Sequence, residues 1–332
     1  MSTKTYARAI RDTLASEMRK DKNIFVMGED VGLMGGIFGC TRDLAKEFGP
    51  ERCFDTPISE ACIVGAGLGS ACVGMRPVVE LMYMDFSLVA MDQIVNQVAK
   101  THYIFGGHAR IPLVIRGQQG IGRGNAATHS QSLESIFMHT PGLKVACPST
   151  GADAAGLLRT SIRDDNPVMF FEHKALYSTK FEVPDDDEFA IPFGKADIKR
   201  AGSDVTILAN LLYVSKALEA AAILDKEGIS AEVIDPRTLV PFDYDTVLES
   251  VKKTGRLVIV HEAHRIGGWG AEVASEITQR AFEDLKHAPI RLGAKHCPLP
   301  FNLQLENAVV PQIEEIVAAA KALVRKDRGV KG

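Results

Sequence analysis

A single glutamate, Glu60, heads a run in which almost every residue is small or apolar: Ala61-Cys62-Ile63-Val64-Gly65-Ala66-Gly67-Leu68-Gly69-Ser70-Ala71-Cys72-Val73-Gly74. Just before it, Asp55-Thr56-Pro57-Ile58-Ser59 ends an extended segment at Pro57 and offers Ser59 as a helix cap. On a helix, Ala61, Gly65, Gly69 and Val73 share a face that another element can approach closely. Glycine costs a helix about 1 kcal/mol relative to alanine, so its repeated use asks for a packing reason. A carboxylate in such a seam is expensive unless something bonds to it, and burial favours its protonated form. The plainer alternative is an N-terminal glutamate that complements the helix dipole. A second candidate is His129, which follows the glycine-rich stretch Arg116-Gly117-Gln118-Gln119-Gly120-Ile121-Gly122-Arg123-Gly124. Loops of this kind commonly display binding and catalytic groups, and imidazole suits proton transfer near neutrality. Ser130 and Gln131 beside it read as loop-holding residues.

Other chemistries fit the spacing less well. Val64-Gly65-Ala66-Gly67-Leu68-Gly69 resembles a dinucleotide fingerprint, but the third glycine position holds Ser70 or Cys72, depending on the frame. These glycines also continue into the body of a helix instead of closing a strand-to-helix turn. Ser130 lacks a Gly-x-Ser-x-Gly elbow, which disfavours a serine hydrolase. His261-Glu262-Ala263-His264 has a histidine spacing compatible with zinc, but no further ligand cluster supports it.

The elements that must carry these residues alternate along the chain. Residues 23–27, 76–82, 111–116, 143–147 and 168–172 read as buried strands, with helices over 60–74, 86–102 and 152–164. The pattern fails from 176 to 199, where Pro184-Asp185-Asp186-Asp187-Glu188 looks like a linker. It resumes with strands at 205–209, 231–234, 257–260 and 290–292, and helices over 214–227, 244–254, 270–286 and 311–326. This predicts an α/β fold of two domains, each a mostly parallel sheet flanked by helices. The expected boundaries are a first domain over 1–185, a linker over 186–200 and a second domain over 201–332. A chain of 332 residues, 46% hydrophobic, is long enough for two such cores. A net charge of −4 without a basic run argues against nucleic-acid binding, and no apolar stretch has a membrane-spanning length. The N-terminal twenty residues lack a signal-peptide core, and the six cysteines form no Cys-x-x-Cys pair. The expectation is a cytoplasmic protein with reduced, buried thiols.

Further motifs fall in a specific order: Gly28-Glu29-Asp30-Val31-Gly32, Met82-Tyr83-Met84-Asp85-Phe86, Asp92-Gln93-Ile94-Val95-Asn96, His129-Ser130-Gln131-Ser132, His139-Thr140-Pro141-Gly142-Leu143-Lys144-Val145 and Asp235-Pro236-Arg237-Thr238-Leu239. With Asp55–Glu60, this series resembles the β subunit of the thiamine-diphosphate-dependent E1 component of 2-oxo acid dehydrogenase complexes, in the pyruvate and acetoin branches. The resemblance runs from near Lys4 to about Val324. It places the chain in the transketolase-like superfamily, with a pyrimidine-binding domain followed by a transketolase C-terminal-like domain for subunit and E2 contacts.

The resemblance implies roles for single residues. Glu60 would share a proton with the pyrimidine N1′ of the cofactor, and Ile58, Met82 and Phe86 would wall the pyrimidine pocket. His129 would exchange protons with the substrate or the dihydrolipoyl group. Leu113, Ser161, Ile162, Asp164 and Asn166 match a loop that holds K⁺ in some family members, although the same residues make an ordinary helix-to-strand turn. Neither Gly-Asp-Gly nor Asn-Asn occurs, and Gly28-Glu29-Asp30 is not a substitute, so Mg²⁺ and the diphosphate fall to an α subunit. The implied assembly is an α₂β₂ heterotetramer that decarboxylates a 2-oxo acid, pyruvate first, or cleaves acetoin, and acylates the lipoyl groups of an E2 dihydrolipoyl acyltransferase. A branched-chain 2-oxo acid dehydrogenase E1 β subunit is the alternative. A transketolase-like transferase and a noncatalytic assembly protein are more distant ones.

Overall fold

A computed structural model describes residues 1–327, and the chain gathers into two compact units. The first comprises Met1–Gly120 with Ile136–Phe193; the second comprises Ile121–Ser135 with residues 194–327. The segment 121–135 stands inside the expected first domain and continues its glycine-rich stretch, yet it packs with the second unit.

In the first unit the parallel strands lie in the order Lys144–Ala146, Val168–His173, Val114–Gln119, Arg76–Leu81, Ile24–Gly28 and Cys53–Asp55. They are short runs rich in Val, Ile and Phe, and the central ones are buried throughout, as a sheet covered on both faces requires. The Glu60–Cys72 helix packs on this sheet through Ile63, Val64, Gly67 and Ala71. Gly67 has a specific reason to be glycine: a Cβ there would lie 3.0 Å from side-chain carbons of both Leu113 and Val79. Within the chain, the small-residue face through Gly65, Gly69 and Val73 is only lightly covered, a Cβ on Gly65 meeting only Gln93 at 3.8 Å among the described residues. Around a Cβ built on Gly69 there is no atom within 4 Å among the described residues, and Val73 is 81% exposed. Burial on the sheet selects the stripe through positions 63, 67 and 71, which turns the Gly65–Gly69 face outward.

Cross-strand register also builds a buried ionic group. Glu80 lies opposite Arg116, and the wholly buried guanidinium donates to Glu80 and, at 2.6 Å from both Nε and Nη2, to the two oxygens of Glu172. The Tyr177 hydroxyl donates to Glu172 Oε2 at 2.6 Å. Burial pushes the Glu80 pKa up against the pull of Arg116. Removing one member of such a group is costly, because an uncompensated buried charge remains.

Several elements depart from the sequence expectation. The single helix predicted over 86–102 is a 3₁₀ turn Met84–Leu88, a π-helical stretch Asp92–Val98 and a short α-helix Ala99–Ile104. The 176–199 region is not wholly irregular: Lys180–Val183 pairs antiparallel with Ser2–Thr5, and Asp197–Arg200 forms an antiparallel edge on Ala231–Asp235. The Tyr6–Lys20 helix buries Tyr6, Ile10, Leu14 and Met18 on one face. Its Glu17 accepts from Arg159 and Arg163 at 3.1 and 2.7 Å. Ser59 precedes the Glu60 helix without a side-chain capping bond. The cysteines are free thiols, but Cys62 and Cys72 are exposed instead of buried.

The second unit orders Ile290–Ala294, Leu257–His264, Val205–Ala209 and Ala231–Asp235 as parallel strands. Leu212–Asp225 and Ile313–Asp327 are among the helices packed on them. Of the paired histidines of this unit, His261 lies in the core and His264 is half-buried. His261 is fully buried, its Nδ1 lies 3.0 Å from the Ala263 carbonyl, and burial pushes its pKa down to about 4.

Candidate active site

Parallel α/β sheets bind ligands at the carboxyl ends of their strands, and the candidate residues of the first unit follow adjacent strand ends. Glu29 follows Ile24–Gly28, Glu60 lies just beyond Cys53–Asp55, and Met82 and Phe86 follow Arg76–Leu81. Glu60 begins its helix and is only 5% exposed. At that helix start a carboxylate gains from the backbone N–H groups and the dipole, and its seclusion leaves few partners besides a ligand. Met82 and Phe86 are half-buried, and Ile58 is 81% exposed. Two of the three expected wall residues therefore line the edge of the core, while the third projects from it.

Glu29 was not a sequence candidate. It is 7% exposed, and its Oε1 is buried with no hydrogen-bond partner among the described residues. Burial, and then the charges of Glu60, Asp30 and Glu80, push its pKa up to about 7. Like-charge groups arranged so that one holds its proton are a mark of functional sites. The available signal was its place directly after an apolar strand. Arg116, Glu80 and Glu172 were likewise missed, since each sits in a run that reads simply as strand.

His129 belongs by its packing to the second unit, on the segment Ile121–Ser135. It is half-buried, and its Nδ1 lies 3.0 Å from the Thr128 hydroxyl. Ser130 is wholly buried, as suits a loop-holding residue. Ala126, with φ of +63°, makes the tight turn before it.

The five residues matched to a K⁺ loop gather around one turn that the protein already supplies with positive charge. Arg76 donates to the carbonyls of Ile162 and Asp164 at 2.9 and 3.0 Å, and Lys144 pairs with the Asp164 carboxylate. The Asn166 backbone N–H and side-chain amide donate to Asp164 Oδ1 at 2.8 and 3.0 Å. Partial burial raises the Asp164 pKa, but the bonds from Lys144 and Asn166 outweigh it and hold the carboxyl below its ordinary range. The Leu113 carbonyl accepts from Val168 at 2.9 Å, and the Ser161 hydroxyl donates to Leu157 at 2.7 Å.

Known proteins resemble the chain over most of its length. Residues 2–180 match the pyrimidine-binding domain of transketolase, and residues 194–316 match its C-terminal domain. The chain is 45% identical to the pyruvate dehydrogenase E1 component subunit beta of Rhizobium meliloti, covering 98% of this chain and 71% of that protein. It is 46% identical to the acetoin:2,6-dichlorophenolindophenol oxidoreductase subunit beta of Cupriavidus necator, covering 96% of each. Among solved structures, a split-gene transketolase described as an inactive beta4 tetramer superposes with a TM-score of 0.77 at 25% identity, covering 97% of this chain and 98% of that one. The chain therefore belongs to the family of pyruvate and acetoin dehydrogenase E1 β subunits, within the transketolase-like superfamily.

Proposed function

We propose that this chain is the β half of a thiamine-diphosphate enzyme that, with an α subunit, decarboxylates a short 2-oxo acid, pyruvate first, or cleaves acetoin, and passes the acyl unit to lipoyl groups on an E2 acyltransferase. The observation that carries the reading is the secluded Glu60 at a helix start on the ligand-binding edge of the sheet, with half-buried Met82 and Phe86 on the neighbouring strand end. A flat, nitrogen-bearing ring fits that donor set: a carboxyl to share a proton, an aromatic face and a soft thioether. When bound, thiamine diphosphate supplies the nucleophilic carbon and the electron sink. Glu60 would hold a proton at the ring nitrogen N1′. Glu29, protonated up to about pH 7, would limit repulsion beside it. Met82 and Phe86 would exclude water from the ring, and His129 would deliver a proton to the reacting group.

The sequence offers no recognised metal-diphosphate motif, so the Mg²⁺ side falls to the α subunit. Exposed apolar side chains support an assembly: Ile58, Val73, Tyr103, Ile104 and Phe105 are each more than 60% exposed. An α₂β₂ heterotetramer is the arrangement in this reading. A potassium ion at the 161–166 turn would share the Ile162 and Asp164 carbonyls with Arg76. Exchange of K⁺ for Na⁺ should then lower the thermal midpoint, and an unchanged midpoint would contradict an occupied site. The test of function is reconstitution with an α subunit and assay on pyruvate, acetoin and a branched 2-oxo acid with a lipoyl acceptor. Thiamine-dependent turnover of pyruvate or acetoin supports the reading; activity on the branched acid alone moves the chain to the branched-chain type.

A further inference from the structure

The loop that carries His129 is glycine-rich and would be conformationally loose by itself. It is instead held at several points within the second unit. The Ile121 backbone N–H donates to Glu262 Oε1 at 2.8 Å, and the Ser132 hydroxyl donates to the same oxygen at 3.1 Å. The Gly122 N–H donates to Glu306 Oε2 at 3.0 Å, and the Trp269 N–H donates to the Ser135 hydroxyl at 2.9 Å. Ile121 packs with Ala294, Leu299, Val309 and Val310. Gly124, with φ of +61°, runs so close to this unit that a Cβ would lie 2.7 Å from the Phe301 carbonyl oxygen.

Glu262 and Glu306 are 6% and 1% exposed, an expensive placement for carboxylates. Helix and strand ladders do not need them there, and both point at backbone of one loop. We propose that Glu262 and Glu306 are positioning residues for His129: they anchor both flanks of its loop on the C-terminal unit, which thereby fixes where the histidine stands. The part of the chain otherwise assigned to subunit contacts then has a share in the chemistry. This rests on the reading that His129 transfers protons.

The test uses Glu262→Ala and the near-isosteric Glu262→Gln in the full chain, alone and in the α/β assembly. Amide exchange over 121–135 in the full chain should quicken in Glu262→Ala and recover in part in Glu262→Gln; exchange equal to wild type overturns the proposal without reference to activity. In the assembly, Glu262→Ala should lower kcat for lipoyl acylation by about 10- to 100-fold, the scale of a small misplacement of a reacting group. KM and deuterium exchange at the cofactor C2 should stay near wild type, because those report the Glu60 half. Combining Glu262→Ala with His129→Ala should be no worse than His129→Ala alone, since residues acting as one unit are not additive. Multiplied losses, or a kcat within twofold of wild type, would overturn the positioning role. A wild-type assembly without thiamine-dependent turnover would instead contradict the proposed function, leaving the amide-exchange result to judge the loop anchor.

Discussion

In the proposed reading Glu60 and His129 divide the chemistry between them, and each can be probed apart from the other. Glu60→Gln should leave the fold intact, since the amide is nearly isosteric with the carboxyl at this helix start, while impairing cofactor activation. Deuterium exchange at the cofactor C2 in the α/β assembly reads this directly, and unchanged exchange would remove Glu60 from its role. His129→Ala should lose about 10²- to 10⁴-fold in the complete reaction, the range of general acid–base catalysis, with cofactor affinity much less affected. Near-normal turnover would exclude an essential proton transfer there. Glu29 gives a prediction that needs no partner. Its folded pKa of about 7 stands above the ordinary 4.5, so the folded state binds the proton more tightly. The penalty is absent well below pH 4.5, grows as pH rises towards 7 and is constant above. Glu29→Gln should therefore gain stability relative to wild type across that window, measured as a urea midpoint. A difference that does not change with pH would contradict the shift.

The helix at Glu60–Cys72 was legible in sequence, but the face it buries was not. Gly67 and Gly69 make the distinction measurable. Gly67→Val should destabilise the isolated chain by about 1–3 kcal/mol, because added atoms meet Leu113 and Val79 in a filled space. Gly69→Ala should stabilise it by up to about 1 kcal/mol through helix propensity, there being room for the methyl group. Equal effects of the two on the denaturation midpoint would mean that the helix is rotated from its described position. Most buried strands could be read because short apolar runs flanked by turns have few other uses, as at Val168–His173. The 86–102 region was misread because its apolar spacing suits several helical pitches, and only packing selects 3₁₀, π and α turns in succession. Lys180–Val183 escaped notice because an edge strand is defined by its distant partner, Ser2–Thr5, and not by its own alternation. Glu60 and His129 stood out because they interrupt small-residue stretches. Glu29, Glu262 and Glu306 did not: burial marks Glu29, and burial with backbone partners far along the chain marks Glu262 and Glu306.

At the scale of the whole molecule, the proposed function makes the chain half of an active site. Thiamine diphosphate carries most of its charge on the diphosphate, and the sequence has no recognised motif to hold its metal. Ring contacts with Phe86 and one bond to Glu60 would have to offset the lost freedom of a flexible, strongly hydrated ligand, and they are too few to do so. The outward glycine face and the exposed Ile58, Tyr103, Ile104 and Phe105 are consistent with a surface completed by another polypeptide. The most direct measurement is a calorimetric titration of the purified chain with thiamine diphosphate and Mg²⁺, before and after addition of an α subunit, with decarboxylation followed in parallel. The prediction is weak binding and no turnover for the chain alone, then tight binding and turnover once the α subunit is present. Micromolar binding with decarboxylase activity in the isolated chain would contradict the division of the site between two subunits.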